Sequence, residues 1–174
     1  MFPIPNELAG EKSLLAQTVV TEMAARGLRL AIGESLTGGA LASAVVDVPG
    51  ASKVLLGSIV AYDTALKTTL LGVDQSLLSR VGPVDAEVAA QMAAGVRSKM
   101  AAGAETGIGS VIGVACTGVA GPDPQGGKPV GLVFIALDAP GGAQVHEFQF
   151  AGDRAQIRSS VVAAALRLLA AALL

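Results

Sequence analysis

Ser35 lies in the glycine-rich segment Gly33–Gly39, at a point where a predicted strand passes into a predicted helix. A strand-to-helix turn places a side chain at the carboxyl edge of a sheet. It also directs free backbone N–H groups toward one point, which suits an oxyanion or a phosphate. Ser35 is therefore a candidate nucleophile. On spacing alone, capping of the following helix by Ser35 or Thr37 is the more common role for such residues.

A serine that attacks an amide needs a base, and the only histidine of the sequence is poorly suited to that role. His146 lies on a predicted strand with Phe148 and Phe150 on the same face, which is typical of a packed residue. A Ser-His-Asp triad is therefore not supported. A lysine with a lowered pKa can replace histidine as the base.

Lys67 is the candidate base, because it falls in the first turn of a predicted short helix that Asp63 or Thr64 caps. The positive end of the helix dipole disfavours the ammonium there, and burial lowers the pKa further. The negative charge of Asp63 acts in the opposite direction. Tyr62, at the end of the preceding strand, could relay a proton or orient Lys67 and Ser35. A solvated lysine and a core tyrosine are the alternative.

A long loop follows the predicted central strand and begins at Thr117. Its glycines let the backbone approach a ligand closely, so Thr117 and the amides of Gly118–Gly121 are candidates for holding a substrate. The spacing is not that of a P-loop, because Gly121 lies one residue too far from Gly127 and Pro129 replaces the required serine or threonine. A plain surface connection is the alternative.

Arg154 and Arg158 lie four residues apart near the start of the last predicted helix, so they can share one face. Cations are disfavoured at that end of a helix, and an anionic ligand such as a phosphate would offset the cost. A solvated pair of arginines, with Asp153 as an ion-pair partner, is the alternative. No cluster of histidine, cysteine, aspartate and glutamate has metal-ligand spacing, so no metal is expected.

Composition narrows the class of protein. The chain has 174 residues, 52% hydrophobic and 15% charged, which excludes general disorder. Aromatic residues make up 3% and the net charge is -2, which argues against nucleic-acid binding. One cysteine and an N-terminus without a basic region favour a cytoplasmic protein. The apolar run 161–174 is interrupted by Arg167 and is too short for a membrane span, so it predicts a buried or dimer-forming helix.

Alternating helices and strands predict a three-layer α/β/α sandwich with a mixed sheet. We expect a single domain over residues 1–174, with 1–10 as a loosely ordered arm. The predicted strands are 28–32, 54–62, 111–116, 130–137 and 144–150, the last two forming a hairpin. The predicted helices are 11–26, 40–48, 64–71, 75–81 and 86–102, with a last helix capped by Asp153 and Gln156.

Five segments, taken in order, resemble the CinA C-terminal domain family. They are GESLTGG (33–39), VDVPGASKV (46–54), AYDTALKTTLLGV (61–73), CTGVAGPDPQGGKPVGLV (116–133) and GDRAQIR (152–158). The resemblance implies an α/β/α amidohydrolase that converts nicotinamide mononucleotide to nicotinate mononucleotide and ammonia, as in pyridine-nucleotide salvage. It also implies a homodimer and a reaction without a cofactor.

The resemblance further implies a serine nucleophile with a nearby tyrosine and lysine, which fall on Ser35, Tyr62 and Lys67. One arginine of the GDRAQIR segment would hold the phosphate, and the choice between Arg154 and Arg158 stays open. The predicted substrate-binding residues are Glu34, Thr37, Gly38, Gly39, Thr117, Gly118, Ala120, Gly121, Arg154 and Arg158.

Two other functions stay open at this point. A nucleotide-binding or partner-binding module without catalysis could use the same loops. A purely structural oligomerisation domain could be built on the apolar last helix.

Overall fold

A five-stranded mixed sheet lies at the centre of the fold, in a computed structural model that describes residues 6–103 and 107–173. The order across the sheet is β2-β1-β3-β4-β5. β1 pairs in parallel with β2 and β3, and β4 pairs antiparallel with β3 and β5. The strands are β1 (Arg29–Glu34), β2 (Leu55–Val60), β3 (Val111–Gly118), β4 (Leu132–Ala139) and β5 (Gly142–Gln149).

Helices cover both faces of the sheet. α1, α2 and α6 pack on one face, and α3, α4 and α5 pack on the other. The helices are α1 (Asn6–Ala25), α2 (Ala40–Val46), α3 (Thr64–Leu71), α4 (Gln75–Val81), α5 (Ala86–Ala101) and α6 (Arg154–Ala171). The predicted three-layer, single-domain α/β/α sandwich with a mixed sheet is confirmed.

Successive side chains of β1 enter different hydrophobic clusters. Leu30 and Ile32 belong to the cluster under α1, α2 and α6, whereas Ala31 belongs to the cluster under α5. This alternation directs Glu34 toward the α2 side of the sheet. Ser35 follows directly and contacts α3 on the opposite side.

Short-range signals predicted most helix ends correctly. Asp63 caps α3 by accepting a hydrogen bond from the Ala65 amide, and Gly72 ends that helix with a positive φ. Asp153 and Gln156 form the predicted capping box of α6. These caps satisfy amide groups that the first turn of a helix leaves without partners.

Several element ends differ from the predictions by one or more residues; β1, for example, continues past Ile32 to Glu34. α1 begins at Asn6, so residues 6–10 of the predicted arm are helical, while residues 1–5 lie outside the described residues. β3 continues past Cys116 to Gly118, because Thr117 and Gly118 pair with β4. The loop after β3 therefore starts two residues later than predicted.

The apolar last helix is a core element. Ile157, Val161, Leu166 and Leu169 are fully buried in it, and α6 packs on α1. The prediction of a buried helix is confirmed. Within residues 6–103 and 107–173, no helix has the length and hydropathy that a membrane crossing requires.

Candidate functional site

Ser35 and Lys67 lie in hydrogen-bond contact at the carboxyl edge of the sheet. Lys67 Nζ is 3.0 Å from Ser35 Oγ and 2.7 Å from the Ala61 carbonyl oxygen. α3 presents Lys67 from its first turn, and the turn after β1 presents Ser35. The two segments meet because β1 and β2 are parallel neighbours, so their carboxyl ends share one edge.

The Lys67 side chain is buried, and this burial governs its pKa. Only 1% of its surface is exposed, and desolvation lowers the pKa from 10.5 to about 8. Cys116 and Asp63 act in the opposite direction, so the predicted effect of Asp63 is present but does not dominate. A buried amine with a pKa near 8 is partly neutral at neutral pH and can accept a proton.

A cleft opens beside this pair. Its empty volume is about 530 Å³ and is continuous with solvent. Its walls come from the turns after β1 and β2, from α3, from the segment between α4 and α5, from the end of β3 with the loop after it, and from the start of α6. The lining residues are Ser35, Leu36, Tyr62, Thr64, Lys67, Pro83, Val84, Thr117, Gly118, Val119, Ala120, Gly121, Asp123, Gln125 and Arg154.

Arg154 reaches across the mouth of the cleft. Its Nη2 donates to the Tyr62 hydroxyl oxygen at 2.6 Å, and its Nη1 donates to the Gly121 carbonyl at 2.8 Å. Tyr62 is 57% exposed and contacts neither Ser35 nor Lys67 through a hydrogen bond. The structure therefore places Tyr62 at the rim, rather than in the relay position considered from the sequence.

The loop after β3 supplies backbone groups to the cleft. Thr117 Oγ1 donates to the Pro83 carbonyl at 2.6 Å, which fixes the start of the loop against the segment between α4 and α5. The amides of Ala120 and Gly121 have no acceptor among the described residues. Free amides at a cleft wall are suited to hold an anionic or carbonyl oxygen.

Arg158 does not reach the cleft. Its Nε donates to the Leu36 carbonyl at 2.9 Å and its Nη2 donates to the Thr37 carbonyl at 2.7 Å. It therefore contacts the turn that carries Ser35 on the side that faces α2, away from the cleft. Between the two arginines that the sequence left open, Arg154 is the one that lines the cleft.

Glu34, predicted to bind substrate, lies on the α2 side of the turn as well. Its buried carboxylate accepts hydrogen bonds from the amides of Gly39, Leu41 and Ala42, which lie at the start of α2. A carboxylate at this end of a helix compensates the free amides and the dipole. Glu34 thus joins α2 to β1 and does not line the cleft.

Three other residues predicted to bind substrate lie outside the cleft lining. Thr37 is fully buried, with its Oγ1 3.1 Å from Cys116 Sγ. Burial raises the pKa of the Cys116 thiol to about 11, which fits the predicted role of a small buried hydrophobe. Gly38 and Gly39 have φ of 61° and 95°, values that favour glycine, so they serve the turn into α2.

Comparison with known proteins then identifies the family. The family model described as the CinA C-terminal domain matches residues 12–173. The chain belongs to the CinA C-terminal domain family. It is similar to a CinA-like protein of Anaeromyxobacter sp., with 45% identity over 165 residues, which is 93% of this chain and 38% of that protein.

Other relatives support the same assignment. A CinA-like protein of Frankia casuarinae is 44% identical over 159 residues, covering 91% of this chain and 35% of that protein. The chain thus spans little more than a third of the length of these relatives. The solved structure of the competence/damage inducible protein CihA of Agrobacterium tumefaciens matches with a TM-score of 0.85 and 34% identity, and covers 99% of both chains.

Several cleft residues of this CinA domain escaped sequence reasoning. Thr64 begins α3, and Pro83 and Val84 follow α4; nothing in their spacing indicated the cleft. Asp123 and Gln125 lie in the loop that was singled out, yet only Thr117, Gly118, Ala120 and Gly121 were predicted there as ligand contacts. The loop length was the available signal for them.

The described part of this CinA domain contains no group of three or more histidine, cysteine, aspartate or glutamate side chains that could hold a metal ion. The polar side chains that line the cleft include the Ser35 hydroxyl, the Lys67 amine, the Arg154 guanidinium and the Asp123 carboxylate.

Proposed function

We propose that this CinA domain is an amidohydrolase that converts nicotinamide mononucleotide to nicotinate mononucleotide and ammonia. The observation that carries the proposal is the 3.0 Å contact between Ser35 Oγ and the buried amine of Lys67 at the wall of an open cleft. The choice of nicotinamide mononucleotide as the substrate rests on the chain's family membership and on its motif resemblance to that family.

The proton transfer uses Lys67 in its neutral form. In the structure Lys67 Nζ donates to the Ala61 carbonyl and to Ser35 Oγ. In the proposed reaction the lone pair of the neutral amine faces Ser35 Oγ across the same 3.0 Å contact and accepts the hydroxyl proton. This orientation makes Lys67 the general base for the attack, in the manner of other serine–lysine pairs.

In the proposed reaction, Ser35 Oγ bonds to the carboxamide carbon, and the carbonyl oxygen becomes an oxyanion. The amides of Leu36, Ala120 and Gly121 are the candidate donors to that oxyanion, each worth about 3–4 kcal/mol by analogy with known sites. The Lys67 ammonium then returns the proton to the leaving nitrogen as the C–N bond breaks. Water, deprotonated by Lys67, attacks the acyl-enzyme and releases the carboxylate and Ser35.

The remaining cleft residues match the rest of the nucleotide. Arg154 offers a guanidinium at the mouth, where it can form a bidentate pair with the phosphate of the mononucleotide. Tyr62 lies beside it as a partner for the same group or for the ribose. Thr117, Gly118, Ala120 and Gly121 line the wall toward the carboxamide. No cofactor takes part in this scheme.

The test is ammonia release. Purified protein incubated with nicotinamide mononucleotide should release ammonia and nicotinate mononucleotide in equal amounts, and Ser35→Ala should release neither. As a matched control, Ser79→Ala removes an exposed hydroxyl from α4 and should keep full activity. Saturable binding of the nucleotide without ammonia release would instead indicate a non-catalytic binding module. Sedimentation of the same protein tests the predicted homodimer.

A further inference from the structure

A second cavity lies on the opposite face of the sheet from α3 and α5. It is a groove between α1, α2 and α6, with an empty volume of about 1100 Å³ that is continuous with solvent. We call it the α1/α2/α6 groove. It shares no lining residue with the cleft at Ser35. Small side chains, including Ala40, Ala44 and Val162, leave this space open.

Two basic side chains of the groove lack acidic partners. Lys12 Nζ donates to Ser159 Oγ at 2.8 Å, and Arg158 donates only to backbone carbonyls. Neither cation contacts a carboxylate within the part of the chain that the structure describes. Asp47 is the one acidic residue in the lining, so the groove carries a net positive charge. An anion would form charge-assisted hydrogen bonds with both cations.

We propose that the α1/α2/α6 groove binds a phosphate monoester, with its phosphate held between Lys12 and Arg158. The hydroxyl of Ser159, already bonded to Lys12, is a further donor to the phosphate. The apolar lining from Ala44 and Val162 accommodates an apolar or aromatic body attached to it. This site does not depend on the function proposed for the cleft.

Arg158 also connects the groove to the nucleophile turn. Its guanidinium holds the carbonyls of Leu36 and Thr37, the two residues after Ser35. In a trans peptide the carbonyl and the next amide point in opposite directions, so Arg158 sets which way these amides face. A phosphate that draws Arg158 toward the groove therefore changes the geometry of the turn beside Ser35.

The binding experiment uses phenyl phosphate and inorganic phosphate as probes, with calorimetric titration at low ionic strength. Arg154→Gln removes the arginine of the cleft and so weakens phosphate binding there, and the Lys12 variant then assigns the remaining site. We expect Arg154→Gln to retain one saturable site for phenyl phosphate, tighter than for inorganic phosphate. Adding Lys12→Gln should weaken it about tenfold or more. Adding Lys99→Gln, which removes an exposed lysine from α5, should change it less than about twofold.

Three results would overturn the proposal. The first is no saturable binding to Arg154→Gln. The second is binding that Lys12→Gln leaves unchanged. The third is equal affinity for both probes, which contradicts a monoester site. If a second copy of the chain covers the groove instead, Lys12→Gln shifts the sedimentation coefficient and phenyl phosphate does not bind.

The connection to the turn is tested in the same Arg154→Gln protein by NMR. The amide resonances of Thr37 and Gly38 should move along the titration with the same dissociation constant as the calorimetric site. Resonances that stay fixed while the groove fills would overturn this connection. None of these measurements requires ammonia release, so failure of the proposed catalytic function is seen separately.

Discussion

Lys67 Nζ lies 3.0 Å from Ser35 Oγ, and both side chains are buried. The same nitrogen lies 2.7 Å from the Ala61 carbonyl. A neutral amine satisfies both contacts, by donating to the carbonyl and accepting from the hydroxyl. An ammonium can keep the same two contacts by donating to both oxygens, so the hydrogen bonds do not select between the two forms. Burial favours the neutral form of the lysine, which is the form that can act as a base.

The first prediction concerns the base itself. Lys67→Met keeps the length and apolar stem of the side chain but removes the lone pair that accepts the Ser35 proton. We expect kcat for ammonia release to fall by about 100-fold or more, with KM changed little, since general base catalysis contributes about 10²–10⁴. Steady-state kinetics on nicotinamide mononucleotide measure it, and Lys99→Met on α5 is the matched control.

The second prediction is the pH dependence of the reaction. Because the neutral amine is the active form and its pKa is lowered to about 8, kcat/KM should rise with pH and level off above pH 8. The measurement is kcat/KM in constant-ionic-strength buffers from pH 6 to 10. A profile that is flat across pH 8, or that falls there, is inconsistent with a lysine base.

The third prediction concerns stability and pH. The unfolded chain keeps the Lys67 proton up to about pH 10.5, whereas the folded chain loses it near pH 8. Unfolding therefore takes up a proton between these values, and the free energy of unfolding rises with pH across that window. The total gain is about 3 kcal/mol, at roughly 1.4 kcal/mol per pH unit.

Lys67→Met lacks this pH-dependent contribution. Urea unfolding at pH 7.5 and 10.5 should show that the free energy of unfolding of the parent, minus that of Lys67→Met, increases by about 3 kcal/mol. An unchanged difference would mean that Lys67 keeps its ordinary pKa in the folded chain.

The fourth prediction separates the roles of Tyr62 and Arg154. Tyr62 is exposed at the rim and bonded to Arg154, so it is not expected to carry the proton of Ser35. Tyr62→Phe should reduce kcat less than about threefold. Arg154→Gln should raise KM about tenfold or more, because a charge-assisted pair with the phosphate is lost. A large loss of kcat in Tyr62→Phe would restore the relay role.

The fifth prediction concerns Glu34. Its buried carboxylate accepts three amide hydrogen bonds from the start of α2, and a glutamine offers only one acceptor oxygen. Glu34→Gln should lower the free energy of unfolding by about 3 kcal/mol in urea titrations. Glu87→Gln, at an exposed position in the first turn of α5, should change it by less than about 0.5 kcal/mol.

The sequence predicted the fold well where local chemistry determines structure. Gly72 ends α3 and Asp153 caps α6, because each residue type satisfies the helix end by itself. Strand alternation with helices was enough to predict a sandwich with a mixed sheet. The order of strands, with β1 between β2 and β3, depends on contacts between segments far apart in the chain.

The candidate site was predicted less completely, for a physical reason. Ser35 and Lys67 were paired by the chemistry they require, and the structure brings them together. Arg158 and Arg154 share a helix face in sequence, yet a helix turns by about 40° between positions i and i+4. Because of that rotation and the length of the arginine side chain, Arg158 contacts the α2 side of the turn that carries Ser35, whereas Arg154 lines the cleft.

Glu34 shows the limit of reasoning from motifs. It precedes the candidate nucleophile and was assigned to substrate binding with its neighbours. Side chains alternate along β1, so adjacent residues face opposite sides of the sheet. Leu30 and Ile32 pack on the α2 side of the sheet and Ala31 packs on the other side, so the same alternation places Glu34 on the α2 side. The motif alone does not indicate which side Glu34 faces.

The most direct test of the account is the pKa of Lys67 in the folded protein. Lysine labelled with ¹³C at Cε can be titrated by NMR, and Lys67→Met assigns the resonance by its disappearance. We expect the Lys67 resonance to titrate near pH 8. A Lys67 resonance that titrates near pH 10.5 would contradict the account, because the amine beside Ser35 would then be charged at neutral pH.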